Sequence, residues 1–285
     1  MAIRLGGPVF LKSQDPAELA AEHKRLGYRA AYCPRPALAE NVGDDTLRAV
    51  AAAFAKEDIV IAEVGAWCNP MHPDPATRAK NLKFIISRLD LAERLGALCA
   101  VDYAGSFSPQ HPAGPHPKDL SQEAFDLAVE NTRKIIDAVK PKRAKFCLEM
   151  MPWSWPDSPD TYLAIIKAVD RPAFAVHFDP TNLINCWRHY YDTAAVINEC
   201  IRKLGPMMVS AHAKDVTMAL DGASLINLRE TRPGTGRLDY RALLKGLASL
   251  PHEVPLMMEH LKTAEEYAAA AHHIRSVAKD CGVSL

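Results

Sequence analysis

The stretch KFCLEMMPWSWPDSPDTYLAIIKAVDRPAFAVHFD, residues 145–179, decides the fold. It holds two short apolar runs, KFCLEMM (145–151) and AFAVHFD (173–179), on either side of a segment at 158–169 that has the apolar spacing of a helix. Strands that alternate with helices form a parallel sheet. The stretch therefore predicts a strand–helix–strand unit.

The same alternation continues outward to both ends of the chain. We predict strands at 3–10, 28–33, 59–67, 97–105, 145–151, 173–179, 207–215 and 255–261. Helices are predicted at 17–27, 44–56, 75–95, 121–139, 158–169, 190–204, 239–249 and 263–279, with a long loop before the seventh of them. Eight strand–helix pairs in 285 residues are typical of a (β/α)8 TIM barrel. We expect a single barrel domain over 1–285, with an open doubly wound sheet as the alternative.

Composition and charge argue against some classes of protein. Lys and Arg number 34 and so do Asp and Glu, which gives zero net charge and disfavours a protein that binds nucleic-acid backbones. The seven Cys include no C-x-x-C pair, a pattern typical of reduced thiols. No apolar run has the length of a signal peptide or membrane span. We expect a soluble cytoplasmic protein without membrane or nucleic-acid partners.

Four consecutive predicted strands end in side chains that can bind a metal. Glu149 ends FCLE, Asp179 ends AVHFD, His212 ends VSAH and Glu259 ends LMME. The loops that follow the strands of a barrel carry its reaction site, so these side chains are expected to converge. One such residue alone is more often a solvated rim residue, but four in succession indicate a shared site.

The donor set indicates which ion this site binds. Three carboxylates and one imidazole favour Mn²⁺, with Co²⁺, Mg²⁺ or Zn²⁺ as alternatives, over a thiolate-rich zinc site. Four protein ligands also leave positions on an octahedral ion for two substrate oxygens. We expect the site to bind one divalent ion, and Mn²⁺ is the ion that we favour.

Several motifs resemble those of a known family. They are Glu149, D-x-x-N at 179–182, H-x-K-D at 212–215, PGTGRLDY at 233–240 and the late Glu259. In this order they resemble the xylose-isomerase-like barrel superfamily and, more narrowly, its sugar phosphate isomerase/epimerase branch. The resemblance covers nearly the whole chain.

The resemblance implies roles for the four strand-end residues. Glu149, Asp179, His212 and Glu259 would bind one divalent ion, and the two glutamates would flank the substrate carbon as acid and base. A carboxylate on each face can take a proton from one side and return it from the other. The ion would polarise the neighbouring carbonyl and stabilise the enediolate. Which glutamate is the base stays open.

Two positions depart from the family pattern. Many sugar epimerases of this family carry His where this chain has Asn182, and Arg where it has Met218. Both family residues contact the sugar, so the resemblance does not carry over the substrate. Arg229, Arg232 and Arg237 are candidates for the missing cation.

Other side chains are candidates for substrate contact. We predict contacts from Asn182, His177, Trp153, Arg229 and Lys214. The alternative interpretation of His177 is a core histidine, and that of Lys214 is a side chain that supports the ligands. The remaining candidates, each with a structural alternative, are Trp67 and Trp155 as sugar platforms, Asp215 as a ligand support or loop cap, and Glu63 as a site residue or a buried ion pair.

The leading hypothesis is a metal-dependent isomerase or epimerase of a sugar, a sugar phosphate or a keto-polyol. The same proton abstraction would also serve a lyase that cleaves a keto-sugar, such as a 3-keto-glycoside, by β-elimination. An abasic-site endonuclease and a non-catalytic binding barrel are less favoured, because the charge is zero and the glutamate pair is intact. The expected partner is a small carbohydrate. Barrels of this family often form dimers or tetramers, so a homo-oligomer is also expected.

Overall fold

Eight parallel strands close into a barrel in a computed structural model that describes residues 2–111, 114–219 and 227–285. The strand order is β1-β10-β7-β6-β5-β4-β3-β2. The barrel strands are β1 Leu5–Gly6, β2 Ala30–Tyr32, β3 Val60–Gly65, β4 Cys99–Asp102, β5 Lys145–Glu149, β6 Phe174–Phe178, β7 Met208–Ala213 and β10 Leu256–Met258. This confirms the predicted (β/α)8 barrel and excludes the open sheet.

Helices follow the barrel strands in the predicted order. They are α1 Pro16–Arg25, α2 Asp44–Lys56, α3 Pro75–Leu95, α4 Gln122–Val139, α5 Pro159–Val169, α6 Trp187–Tyr191, α7 Thr193–Leu204, α8 Tyr240–Ala248 and α9 Ala264–Cys281. Short 3-10 helices lie at Arg35–Leu38, Thr181–Leu183 and Gly205–Met207. In the described part of the chain, none of these helices has the length and apolarity needed to cross a membrane.

Capping residues set the ends of the helices. In α3, the Asp74 side chain accepts a hydrogen bond from the Thr77 amide, Pro75 occupies the first turn, and Gly96 ends the helix with a φ of 78°. Glycine adopts this left-handed conformation without the steric cost that a Cβ brings. These caps explain why the helix spans the residues predicted for it, 75–95.

The buried core joins the helices to the barrel. The buried Tyr162 of α5 places its hydroxyl 2.7 Å from the carbonyl oxygen of Leu148 and 2.9 Å from that of Ala175. These carbonyls belong to the neighbouring strands β5 and β6, so one side chain holds both strands. Glu149 ends β5 and Asp179 follows β6. The contact of Tyr162 with both strands therefore helps to set the distance between these two side chains.

The segment after the seventh barrel strand differs from the prediction. The barrel strand ends at Ala213, and the chain continues as β8 Asp215–Met218, which pairs antiparallel with β9 Leu228–Thr231. The prediction of a long loop here was wrong for these two strands, because four-residue strands paired only with each other have too little periodicity to detect. The part of that loop at 220–226 lies outside the described residues.

Candidate metal centre

Four side chains that can bind a metal converge at the carboxyl-terminal mouth of the barrel. Glu149 ends β5, Asp179 follows β6, His212 lies in β7 and Glu259 follows β10. Since these four strands are neighbours in the barrel, one ligand-type atom from each lies within 4.8 Å of the others. The structure thus brings together all four residues that the sequence predicted as ligands.

Nδ1 of His212 is the common point of contact. It lies 2.7 Å from Glu259 Oε1, 3.1 Å from Glu149 Oε1 and 3.6 Å from Asp179 Oδ2. The imidazole and the Asp179 carboxylate are fully buried, and the two glutamates are nearly so. Three carboxylates therefore face one nitrogen in a site largely shielded from water.

Two of the carboxylate oxygens at this point lack hydrogen bonds. Asp179 Oδ2 and Glu259 Oε1 are buried and accept none from the described residues. Lys214 Nζ lies 2.6 Å and 2.5 Å from these oxygens and forms ion pairs with them. Buried acceptors with free lone pairs are costly unless a cation takes them up. The oxygen-rich donor set thus fits a hard divalent ion.

The buried charges shift one another's proton affinities. Burial raises the pKa of Glu149. Burial acts the same way on Glu259, but the adjacent His212 and Lys214 outweigh it and lower its pKa to about 2. Burial opposes the charge of Lys214 as well, but the carboxylates of Asp179 and Glu149 overcome it and raise the pKa of Lys214 well above its ordinary value. Without an ion, Lys214 and His212 therefore supply the positive charge that the carboxylates require.

Asp215 connects the H-x-K-D motif at 212–215 with the PGTGRLDY motif at 233–240. Its carboxylate accepts hydrogen bonds from the amides of Gly234, Gly236 and Leu238 at 2.9, 3.0 and 2.8 Å. A Cβ at Gly236 would lie 2.3 Å from Asp215 Oδ1, which explains the glycine in PGTG. Asp215 therefore holds the loop, as the alternative interpretation of this residue predicted.

A cavity of about 530 Å³ opens above the four side chains. Its described walls include Glu149, Glu259, Lys214 and Asn182. Asn182 Nδ2 donates to the Met150 carbonyl at 3.0 Å and lies 3.4 Å from Glu149 Oε1. Asn182 and Lys214 thus reach the cavity in which a substrate would meet the ligand cluster.

His177 lies below the ligand cluster and does not line this cavity. Its ring is fully buried, and its Nε2 lies 3.1 Å from Glu63 Oε1. Glu63 is also buried and lies 3.2 Å from Nε2 of His212. Although burial disfavours its charge, His212 and His177 hold the pKa of Glu63 well below its ordinary range. This packing fits the core-histidine interpretation of His177.

Trp153 and Arg229 line a second cavity, of about 440 Å³, that shares Asn182 and Glu230 with the first. The structure therefore places these two predicted contacts beside the ligand cluster and not above it. Trp155 is a packed loop residue, since its indole nitrogen donates to the Ser121 carbonyl at 3.1 Å.

The other two arginine candidates also lie apart from the ligand cluster. Arg237 stacks over the ring of Tyr190 at 5.6 Å. Arg232 reaches the Pro233 carbonyl of its own loop at 3.5 Å. Neither lines the described walls of the first cavity.

Of the other cavity walls, the sequence analysis named Trp67 as a sugar platform but missed Tyr103, Glu230 and His260. Trp67 and Tyr103 form an aromatic side, with ring centroids 6.0 Å apart, and Trp67 is 40% exposed. Glu230 and His260 also line the cavity, with Glu230 Oε1 3.1 Å from His260 Nδ1. Glu230 arrives on the hairpin that was predicted as loop, so no sequence signal pointed to it. His260 follows Glu259 directly, and that adjacency was the only available signal.

Comparisons with known proteins agree with this architecture. The family model described as xylose isomerase-like TIM barrel matches residues 20–277. No curated protein sequence gives a significant match. The matched span includes all four ligand-type residues.

Proteins of known structure that are similar to this chain are named for different activities. D-psicose 3-epimerase from Clostridium cellulolyticum H10, solved with D-tagatose, is similar with a TM-score of 0.70 and 16% identity, covering 96% of this chain and 99% of that one. Endonuclease IV from Thermus thermophilus has a TM-score of 0.70 and 15% identity over 97% and 99%. The 3-keto-D-glucoside 4-epimerase from E. coli has a TM-score of 0.67 and 13% identity over 96% and 99%. At these identities the likeness shows the fold alone.

Proposed function

The chain belongs to the xylose isomerase-like TIM barrel family, and from this premise we propose that it is a divalent-metal-dependent isomerase or epimerase of an uncharged keto-sugar or polyol ketone. One observation carries the proposal. Two glutamates, Glu149 and Glu259, reach the base of an open cavity beside a cluster of ligand-type side chains. Such a pair can remove a proton next to a carbonyl from one face and return it from the other.

The two glutamates would perform the proton transfers. One carboxylate takes the proton from the carbon next to the carbonyl, and the electron pair of the broken C–H bond passes into an enediolate. A proton returned to the other face of that carbon gives an epimer, and one returned to the neighbouring carbon gives an isomer. An ion bound by Glu149, Asp179, His212 and Glu259 would supply Lewis-acid polarisation of the carbonyl. Its donor set favours Mn²⁺.

The charges of the cavity favour a substrate without phosphate. Lys214 is the ammonium group among the described wall residues, and it already lies against Asp179 and Glu259. His260 is paired with Glu230. A phosphate placed here would meet carboxylates and find no uncommitted cation on the described walls, whereas the hydroxyls of a neutral sugar can both donate and accept. The same acidic walls disfavour a nucleic-acid backbone and thus the endonuclease hypothesis.

The aromatic wall supports a carbohydrate ligand. Trp67 and Tyr103 border the same cavity as the two glutamates. Aromatic side chains bury large areas while losing little conformational freedom, and the C–H face of a sugar ring is the apolar surface that fits them. Asn182 and Glu230, which line the same cavity, offer hydrogen-bonding groups.

The adjoining cavity supports a second candidate function, that of a keto-sugar lyase. Trp153 and Arg229 border about 440 Å³ of space that meets the first cavity at Asn182 and Glu230. A keto-glycoside could place its sugar ring in the first cavity and its aglycone in the second. The enolate formed by proton abstraction would then expel the aglycone in place of being reprotonated.

Hydrogen exchange with solvent separates these functions. The metal-loaded protein is incubated in D₂O with neutral ketoses, their phosphates and 3-keto-glycosides, and the products are followed by NMR. Deuterium at the carbon next to the carbonyl together with a stereoisomer or isomer supports the isomerase, and aglycone release supports the lyase. Glu149→Gln and Glu259→Gln should abolish either signal. Exchange with phosphates alone would contradict the proposed substrate class, and absence of exchange throughout the panel would contradict proton abstraction.

A further inference from the structure

A chain of buried polar contacts extends from the ligand cluster into the barrel. Glu63, on β3, lies beneath the four ligand-type residues and is 1% exposed. Its Oε2 is 3.2 Å from His212 Nε2, and its Oε1 is 3.1 Å from His177 Nε2. Ser210 Oγ donates a short hydrogen bond to the same Oε1. Both oxygens of Glu63 therefore have partners inside the barrel.

The two nitrogens of His212 face different carboxylates. Nδ1 faces Glu149, Asp179 and Glu259, while Nε2 faces Glu63. An ionised carboxylate only accepts hydrogen bonds, so in the metal-free site both nitrogens face acceptors and both carry a proton. A metal ion at the four-residue site would replace the proton on Nδ1, and the ring would then keep its remaining proton on Nε2, where it is donated to Glu63.

The surroundings hold the His212 ring at this angle. The ring of His177 meets it edge-on with centroids 4.2 Å apart, and the rings of Tyr32 and Trp67 lie 6.4 Å away. The Tyr32 hydroxyl reaches the Met258 carbonyl on β10 at 3.3 Å. The ring thus has aromatic neighbours around it and a charged acceptor beneath it.

We propose that Glu63 is the positioning residue of the metal centre: it fixes the Nε2-protonated form of His212, so that Nδ1 is the ligand atom, and is itself oriented by His177 and Ser210. A carboxylate behind a histidine ligand sets the orientation of the ring and strengthens its donor nitrogen. The inference rests on the proposed function only in requiring that the four-residue site binds a metal. It assigns Glu63 no contact with substrate.

The test measures metal binding and not turnover. Affinity for Co²⁺ and Mn²⁺ is measured by titration for the wild type and for Glu63→Gln, and the visible spectrum of bound Co²⁺ is recorded. Loss of such a partner weakens metal binding by about 10- to 100-fold, and the Co²⁺ spectrum should change because the ring is released. In the Zn²⁺-loaded wild type, the ¹⁵N spectrum should show one histidine with Nδ1 bound to metal and a slowly exchanging proton on Nε2.

Asp102→Asn is the matched control. Asp102 is also a fully buried acidic side chain at the end of a barrel strand, but it accepts from the amides of Cys68 and Tyr103 and does not touch His212. Its amide variant should bind the ions as the wild type does. If both variants weaken binding equally, the loss of any buried carboxyl group explains the effect and the proposal is wrong.

Milder variants keep the test decisive if Glu63→Gln does not fold. Ser210→Ala and His177→Gln each remove one group that orients Glu63 while leaving its charge, and each should weaken binding severalfold. Wild-type affinity in Glu63→Gln, or in both milder variants, would overturn the proposal. A wild type that binds no divalent ion would instead refute the proposed function.

Discussion

Lys214 Nζ lies 2.6 Å from Oδ2 of Asp179, and both side chains are buried. The same ammonium is 2.5 Å from Glu259 Oε1 and 3.8 Å from Glu149 Oε1. One lysine thus forms ion pairs with three carboxylates that a divalent ion would also bind. The lysine and the ion therefore act on the same oxygens, which links the stability of the fold to metal binding.

Lys214→Met should destabilise the metal-free protein far more than the metal-loaded one. Removing one partner of a buried ion pair typically costs about 3–5 kcal/mol, and we expect a loss of that size in the metal-free free energy of unfolding. A bound ion replaces the missing charge, so saturating Mn²⁺ should restore most of the loss. Denaturant unfolding with and without metal measures both values.

Lys203→Met is the control for this substitution. Lys203 also pairs with two carboxylates, Asp160 and Glu199, but at the surface. Surface ion pairs are screened by solvent and contribute little, so this variant should change stability little and show no metal dependence. Equal losses with and without metal in Lys214→Met would refute the shared-oxygen account.

Gly236→Ala should destabilise the protein by about 2 kcal/mol or more, since overpacking typically costs about 1–3 kcal/mol. Its Cβ would lie 2.3 Å from Asp215 Oδ1 and 2.4 Å from the Val216 carbonyl oxygen. Relief of this clash would break the hydrogen bonds that Asp215 accepts from the PGTG loop. Thermal unfolding compared with Gly43→Ala, where no atom lies within 4 Å of the new Cβ, measures the effect. Equal melting temperatures for the two variants would contradict it.

Acidification should weaken the fold through His23 on α1. The side chain packs against Phe54, and burial lowers its pKa below the ordinary 6.5. The unfolded chain therefore binds the proton more readily, so stability is complete above pH 6.5 and falls as the pH drops from there towards the lower pKa of the folded state.

The pH dependence of unfolding checks this assignment. Replacement of His23 by Gln should flatten the free energy of unfolding between about pH 7 and pH 5, relative to the wild type, because Gln does not titrate. The same measurement on a variant of the exposed His272 is the control for loss of a histidine elsewhere on the surface. An unaltered slope in His23→Gln would show that other groups carry the acid sensitivity.

Trp67→Ala should raise KM for the sugar about tenfold, the equivalent of about 1.4 kcal/mol, with a smaller effect on kcat. The aromatic wall touches the substrate face but not the reacting atoms in the proposed function. Tyr191→Ala, which removes a more exposed aromatic away from the cavity, is the matched control. A fall in kcat with unchanged KM would place Trp67 in the chemistry and contradict its role as a wall.

Whether a site residue could be predicted from the sequence depended on where it lies relative to a strand. Glu149, Asp179 and Glu259 end or directly follow buried strands, and the short apolar runs of those strands are visible in the sequence even though their exact ends are not. Glu63 lies inside a strand, and its sequence cannot distinguish a buried ion pair from a support for the metal. The folded barrel distinguishes the two roles, because β3 lies across the interior from β7 and brings Glu63 against His212. Glu230 reaches the cavity on β9, and the pairing of β9 with β8 is a contact that local sequence periodicity does not reveal.

The most direct test of the four-ligand site is the metal stoichiometry of the purified wild type beside Asp179→Asn and Asp160→Asn. Asp179 lies in the buried cluster, whereas Asp160 pairs with Lys203 at the surface. Elemental analysis after loading with Mn²⁺ should give one ion per chain in the wild type and Asp160→Asn, and almost none in Asp179→Asn. A wild type without bound metal, or full retention in Asp179→Asn, would contradict the account.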